Sequence, residues 1–393
     1  MCFSSLKKRR RGQIRAVDFV VSLFLFLLML SQLILIIINV QNDVTRSGIA
    51  DITYEELDIF GRQLLEQEGG VFWGYQKNLP DSFGLADSTS KIPLKLSAAK
   101  IARLITGTTF SISGMTGYEM FDYSTVKDIT NLDQRYNFQL SFSPCLVVNV
   151  VVSTLNVTAN LVEVFVTNYQ DISISNAQVH FYTIDLTNGD AILEGIVSTN
   201  STGGASHEYL IPNINDPDSE HITFVIVRKN ALWGINWAYA KEGLPTERVT
   251  IGNESNTTIW GGGINSSSML ISDSIEISIP PDNHFLSILY EDSSLNFINK
   301  TIDLGNNYES NETISIPNNG LIFFFSIARE NNLFKVGIGS YPAILDQDSV
   351  SGKFYRVFGQ IDSGDNIKAM LSKIYPVIVR GTLMRCQVTL WSR

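Results

Sequence analysis

Cys145-Leu146-Val147-Val148-Asn149-Val150-Val151-Val152 is where the chain changes its period. From here apolar residues favour every second position, the spacing of a strand with one buried face. Runs at 146–152, 161–167, 177–183, 195–198, 206–211 and 222–228 read as strands. Turn formers separate them: Asn168-Tyr169-Gln170-Asp171, Asn188-Gly189-Asp190, Thr202-Gly203-Gly204 and the stretch from Asn213 to Asp218. Six short strands in about 85 residues predict a two-sheet β-sandwich over 144–230.

Inside this region, Ile174-Ser175-Asn176-Ala177-Gln178-Val179 is followed by Thr199-Asn200-Ser201-Thr202-Gly203-Gly204-Ala205. The pair sets a strand entry and a β-turn at fixed places. It resembles the immunoglobulin-like repeats of bacterial and archaeal surface adhesins. The resemblance implies an Ig-like or transthyretin-like sandwich acting mostly as a spacer.

Towards the C-terminus, 231–393 is again β-rich. Runs at 274–279, 285–290, 295–303, 312–316, 321–328 and 335–338 alternate or are apolar throughout, and a short helix is expected at 365–373. The chain ends in 377–391, with Thr382, Met384, Cys386, Val388 and Leu390 on one side. Residues 249–272 are rich in Gly, Asn and Ser and read as an exposed loop or linker. No internal repeat is visible between the two β regions.

Towards the N-terminus, Leu64-Leu65 is followed by Gly69-Gly70, Trp73, Phe83-Gly84-Leu85-Ala86 and the run LKLSAAKIARL at 94–104. Tyr123 and an alternating strand, Tyr136-Asn137-Phe138-Gln139-Leu140-Ser141-Phe142, complete the series. The order resembles that of pilin-like archaeal surface proteins over about residues 60–143. It implies a small α+β head at 69–143, with a helix near 97–106. Trp73 and Phe83 read as core plugs.

Residues 19–38, FVVSLFLFLLMLSQLILIII, hold no charge. As a helix they span roughly 30 Å, a bilayer's hydrocarbon thickness. Lys7, Lys8, Arg9, Arg10, Arg11 and Arg15 precede them, which predicts a cytoplasmic N-terminus and an external remainder. Ile52, Ile59, Phe60, Leu64 and Leu65 then fall at helical spacing, so one long stem helix is expected within 13–68. The stretch Arg9-Arg10-Arg11-Gly12-Gln13-Ile14-Arg15-Ala16-Val17-Asp18-Phe19 resembles the class III signal peptide of archaeal type IV pilins. That resemblance implies cleavage of the 1–12 leader between Gly12 and Gln13. It gives Asp18 the part of the helix-start acid that pairs with a neighbour's new amino group. The family usually has Glu one position earlier.

Net charge is −10 and divides unevenly: residues 1–18 carry +5 and the remainder −15. An acidic exterior excludes nucleic acid as partner. Cys2 belongs to the leader, while Cys145 and Cys386 lie in strand-like runs, bridged or separate. His180, His207, His221 and His284 lack ligand spacing. The acid clusters at 215–220 and 362–365 are turn formers rather than calcium loops. No nucleophile stands with a base in a known motif, so neither enzyme nor cofactor nor metal is expected. Seven N-x-S/T sequons, at Asn156, Asn200, Asn253, Asn256, Asn265, Asn299 and Asn311, mark candidate N-glycosylation sites.

The resulting expectation is an α+β chain: pilin-like stem helix, small head, Ig-like sandwich at 144–230 and a second β-rich domain at 231–393. It describes a single-pass, membrane-anchored archaeal cell-surface protein, pilin-like and non-enzymatic, working in filament assembly or adhesion. Its partners would be membrane lipid and like subunits met through the N-terminal helix. The alternative is a monomeric anchored ectodomain that binds a solute, glycan or surface-layer partner.

Overall fold

The computed structural model describes residues 52–70, 73, 80–102, 104, 123–130, 132, 136–156, 159–210, 220–239, 249–251, 255–261, 268–275, 283–292, 294, 296–305, 309–315, 319–330, 333–341, 346–347, 354–359 and 367–392. Strands dominate: twenty-one stand against three helices among these residues. The expected α+β chain hung on a long helix is corrected to a mostly β architecture. Gly12, Gln13, Asp18 and the apolar stretch at 19–38 lie outside the described residues.

Helix α1 is Tyr54–Glu66. Thr53 is its N-cap, with extended backbone at φ −96 and ψ 156. Its hydroxyl accepts from Glu56 N, and the Glu56 carboxylate accepts from Thr53 N at 2.7 Å. This reciprocal box starts a new helix, so the stem cannot run unbroken through Thr53. Among the described residues no helix is long and apolar enough to cross a membrane. The expectation of a single-pass protein held by a helix is corrected on that ground.

Strand β1 (Lys95–Leu96), α2 (Ala98–Ala102), α3 (Tyr123–Ile129) and β2 (Tyr136–Pro144) follow. The chain then enters β3 (Val147–Asn156), β4 (Ala159–Thr167), β5 (Gln178–Asp185), β6 (Ala191–Ser198), β7 (Gly204–Leu210), β8 (His221–Lys229) and β9 (Leu232–Ala238). These form two antiparallel sheets, ordered β3-β4-β7 and β6-β5-β8-β9. Val162, Val164 and Val166 of one meet Val179, Phe181, Val225 and Val227 of the other in a common core. This unit is a β-sandwich, as alternation in the sequence requires.

Next come β10 (Val249–Ile251), β11 (Ser255–Gly261), β12 (Ser268–Ile275), β13 (Asn283–Glu291), β14 (Phe297–Gly305), β15 (Glu309–Ser315), β16 (Ile322–Glu330) and β17 (Leu333–Tyr341). Their sheets are β11-β12-β15 and β10-β17-β16-β13-β14. Apart from β10, this is the strand order of the first unit repeated. The internal repeat missing from the sequence is present in the topology.

The two larger sheets stack on each other. Tyr182, Ile184, Ile222, Phe224, Ile226, Trp233 and Ile235 share a cluster with Leu289, Phe323, Phe325, Ile327, Phe334 and Val336. Phe224 meets Phe323 and Phe325 edge-on, at centroid distances of 5.3 and 4.9 Å. Strands β8 and β16 are therefore buried on both faces. Their near-continuous apolar runs, Ile222 to Val227 and Ile322 to Ala328, follow from that placement. An ion pair crosses the seam: Arg228 Nη2 to Glu291 Oε2 at 2.7 Å.

Strands β18 (Asp346–Gln347), β19 (Phe354–Phe358), β20 (Ala369–Val379) and β21 (Thr382–Ser392) return to the start. The head sheet is ordered β1-β20-β21-β2-β19-β18. Both sandwiches are thus inserted in the chain between two strands of one sheet. The helix expected at 365–373 gives way at Ala369 to β20, whose Leu371, Tyr375, Val377 and Val379 are buried at alternate positions. Helix α1 lies on this sheet, with Phe60 and Phe138 rings 5.3 Å apart. A Cβ at Gly61 would overlap the Tyr375 ring, so glycine permits the close approach.

Candidate functional site

The titratable groups buried in the fold hold it together. Lys100 is 1% exposed. Its Nζ donates to Glu68 O at 2.6 Å and Ala86 O at 2.8 Å, and sits 5.7 Å from the Trp73 ring centroid. Trp73 in turn donates Nε1–H to Gly84 O at 2.8 Å, which ties down the loop after α1. Burial brings Lys100 down to about 8, opposed by the charges of Glu68 and Asp87. An unfolded lysine keeps its proton to about 10.5. Between these values the unfolded chain holds the extra proton, so this group makes stability rise with pH. From pH 8 to 10.5 the native chain should gain up to about 3 kcal/mol over a Lys100→Met variant. Urea melts at both pH values measure that difference, and a pH-independent difference would contradict it.

At one end of the first sandwich, Asn160, Tyr209, His221 and Thr223 form a buried polar cluster. Tyr209 Oη lies 2.8 Å from Thr223 Oγ1 and 3.1 Å from His221 Nε2. Cys145 and Cys386 are both free thiols. Burial raises both, Cys145 to about 11, which suppresses thiolate chemistry. Glu220, the described part of the first acid cluster, accepts from the Tyr239 hydroxyl at 2.7 Å. Residues 362–365 lie outside the described set. Among the described residues no group of His, Cys, Asp and Glu could hold a metal.

The exposed candidate is a strand edge. Among the described residues β3 pairs only with β4. Its first residues are covered from β9: Leu146 N donates to Trp233 O at 2.9 Å, and Asn236 Nδ2 donates to Val148 O. From Val150 to Leu155 the strand has no second neighbour strand among the described residues, and it holds no charge and no proline. Side chains on the outer face alternate with the sandwich core. Val151 lies opposite Glu163 and that opposite Ser206; Ser153, Leu161 and Glu208 form the next row. Val151 is 53% exposed and Leu155 47%. Proteins usually protect such edges with charges, bulges or cover. Three other edges, β6, β7 and β14, are protected in those ways. β6 carries Glu194 at a bulge of its own, and β7 is tied to it by His207 Nε2 at 3.0 Å from Glu194 O. β14 carries Lys300 and Asp303. The ten uncharged residues of β3 were readable in the sequence. That they form an edge was not.

The sequons separate by environment. Asn253 and Asn265 lie outside the described residues. Asn156 ends β3, Asn256 is on β11 and Asn311 on β15. Asn200 is exposed in the turn between β6 and β7. Asn299 is half-buried on β14, where its Oδ1 accepts from Ser287 Oγ at 3.1 Å and its Nδ2 donates to Thr301 Oγ1 at 3.4 Å.

No family model matches the chain, and no curated protein matches it. Several solved structures do. One is a tetra-tandem repeat from the extending region of a large adhesion protein, 14% identical, covering 53% of this chain and 53% of that one, with a TM-score of 0.20. Another is the chicken interferon gamma receptor alpha chain, 8% identical, covering 52% and 98%, with a TM-score of 0.18. A third is the FN1–FN3 segment of chicken CNTN1, 8% identical, covering 49% and 66%, also at 0.18. This chain spans about half the length of the adhesion-protein array it matches. Superposition this loose carries no argument; the three-on-four strand order of each unit is what makes both Ig-like β-sandwiches.

Proposed function

We propose that the chain is a non-enzymatic, surface adhesion-type protein that captures an extended strand of a partner protein along β3. The observation that carries this reading is the open edge from Val150 to Leu155. An incoming strand would pair with the N–H and C=O groups that no described strand takes up, and its side chains would meet Val151, Ser153 and Leu155. The pair of stacked sandwiches then serves as a rigid mount for that edge. A net charge of −15 beyond residue 18 favours a protein partner over nucleic acid.

Beads carrying the full-length chain should attach to cells of the producing organism. A Val151→Lys chain should attach about tenfold less, because a lysine there sets an unpaired charge against the incoming strand. Its melting should stay within about 0.5 kcal/mol of the native chain, since Val151 is half exposed. Equal attachment of the two chains would refute the edge as the contact.

A further inference from the structure

We infer that Asn200 is a site of N-linked glycosylation and that its first sugar rests on Phe165. The inference rests on the surface reading above, because the modification needs export. Asn200-Ser201-Thr202 is a complete sequon in an exposed turn. The Asn200 side chain is divided in its duties. Its Oδ1 accepts three hydrogen bonds, from Thr202 N at 2.9 Å, Thr202 Oγ1 at 2.7 Å and Gly204 N at 2.9 Å. Its Nδ2 makes no hydrogen bond among the described residues. The oxygen holds the turn, and the nitrogen is left for chemistry.

The reaction this permits is a glycosyl transfer from a lipid-linked glycosyl phosphate. One Nδ2–H bond breaks and an Nδ2–C1 bond forms. The C1–O bond to the phosphate breaks, the phosphate leaves with the electron pair, and the proton passes to a base of the transferase. The product amide keeps its oxygen and one N–H. All three hydrogen bonds of the turn therefore survive modification.

A second observation concerns what the sugar would meet. Phe165 pairs with Gly204 across β4 and β7. It is 47% exposed on the outer face of its sheet. A Cβ placed on Gly204 would lie 3.3 Å from Asn200 Nδ2 and 3.6 Å from Phe165 Cε1. The free nitrogen and the aromatic ring thus flank one spot, kept open by the glycine. One edge of the ring lies beside Gly204. A pyranose on Nδ2, with its apolar C–H face turned to the ring, would cover the rest.

Asn299 gives the contrast. Both ends of its amide are engaged, and its sequon partner Thr301 reaches Gly189 O at 3.1 Å and Asp190 Oδ1 at 3.2 Å in the first sandwich. A glycan there would wedge the two sandwiches apart.

Peptide mapping by mass spectrometry of the full-length chain, exported by its producer or by a glycosylating host, tests the assignment. A hexose-containing mass is expected on Asn200 and none on Asn299. The glycosylated chain should melt about 2–4 °C above the same chain made without glycan. In a Phe165→Ser background that difference should vanish. An unmodified Asn200 overturns the assignment, whether or not another sequon is filled. A glycan on Asn200 whose melting increment survives Phe165→Ser overturns the stacking. Bead attachment on the same preparations keeps the two readings apart: a glycan-free exported chain that still attaches defeats this inference and leaves strand capture standing.

Discussion

Replacing Arg228 with methionine should lower the stability of the full-length chain by about 3–5 kcal/mol. The Glu291 side chain is 1% exposed and Arg228 12%. Arg228 Nη2 and Leu321 N, at 2.7 and 3.2 Å, both donate to Glu291 Oε2, while Oε1 has no hydrogen-bond partner among the described residues. Burial already raises the Glu291 carboxyl, and Arg228 is the main charge opposing that rise. Without the guanidinium, a carboxylate stays buried beside Gly320 and Leu321, or it takes up a proton. The sign with pH follows. A carboxyl raised in the folded state favours folding most below its ordinary range and loses that advantage as pH climbs. The variant's deficit should therefore shrink towards pH 4 and be largest at neutral pH. A double change, Arg228→Met with Glu291→Met, should recover most of the loss, since apolar side chains of similar volume suit the seam. Urea unfolding of the three chains at two pH values reads all of this. A single variant within about 1 kcal/mol of the native chain would show that the pair is not the seam's electrostatic lock.

Legibility from the sequence varied by level. Strand runs such as Ile222 to Val227 and Ile322 to Ala328 were plain, because β-branched and aromatic residues crowd them. Burial on both faces was written in the same runs, but not which sheet covers the second face. The repeat of strand order left no sequence trace: alternate positions of a sandwich need only be apolar, so residue identities drift freely. Thr53 and Glu56 carry a capping-box spacing that marks a helix start. The apolar stretch upstream and the helical spacing downstream had suggested a continuous rod. The edge status of β3 depends on which strands fail to pair with it, and no local residue records that. Likewise the sequon motif marks seven asparagines alike, while among the described residues the Asn200 nitrogen makes no hydrogen bond and that of Asn299 makes one.

Ending the chain at Ile367 should unfold the head and spare the sandwiches. β20 and β21 lie between β1 and β2 in the head sheet, and α1 packs on them. Leu371, Val377, Val379, Met384, Val388, Leu390 and Trp391 are buried in that hairpin. At about 1.5–3 kcal/mol for each large side chain, their loss exceeds the roughly 5–15 kcal/mol by which a domain is stable. Lys373 and Tyr375 also leave Asp58, to which they donate at 2.6 and 3.1 Å. The core gathered round Val164 holds no residue of the hairpin, so cooperative melting of the sandwiches should persist. Hydrogen exchange distinguishes the two parts: amides of α1 and β2 should exchange at once, and those of β5, β8, β13 and β16 should stay protected. A peptide of residues 367–393 added in trans should restore protection to β2 by pairing Phe142 with Cys386 and Phe138 with Leu390, as in the intact sheet. Protected α1 amides in the truncated chain would mean that residues 52–144 fold without the hairpin, and the inserted position of the sandwiches would then be only a matter of strand order.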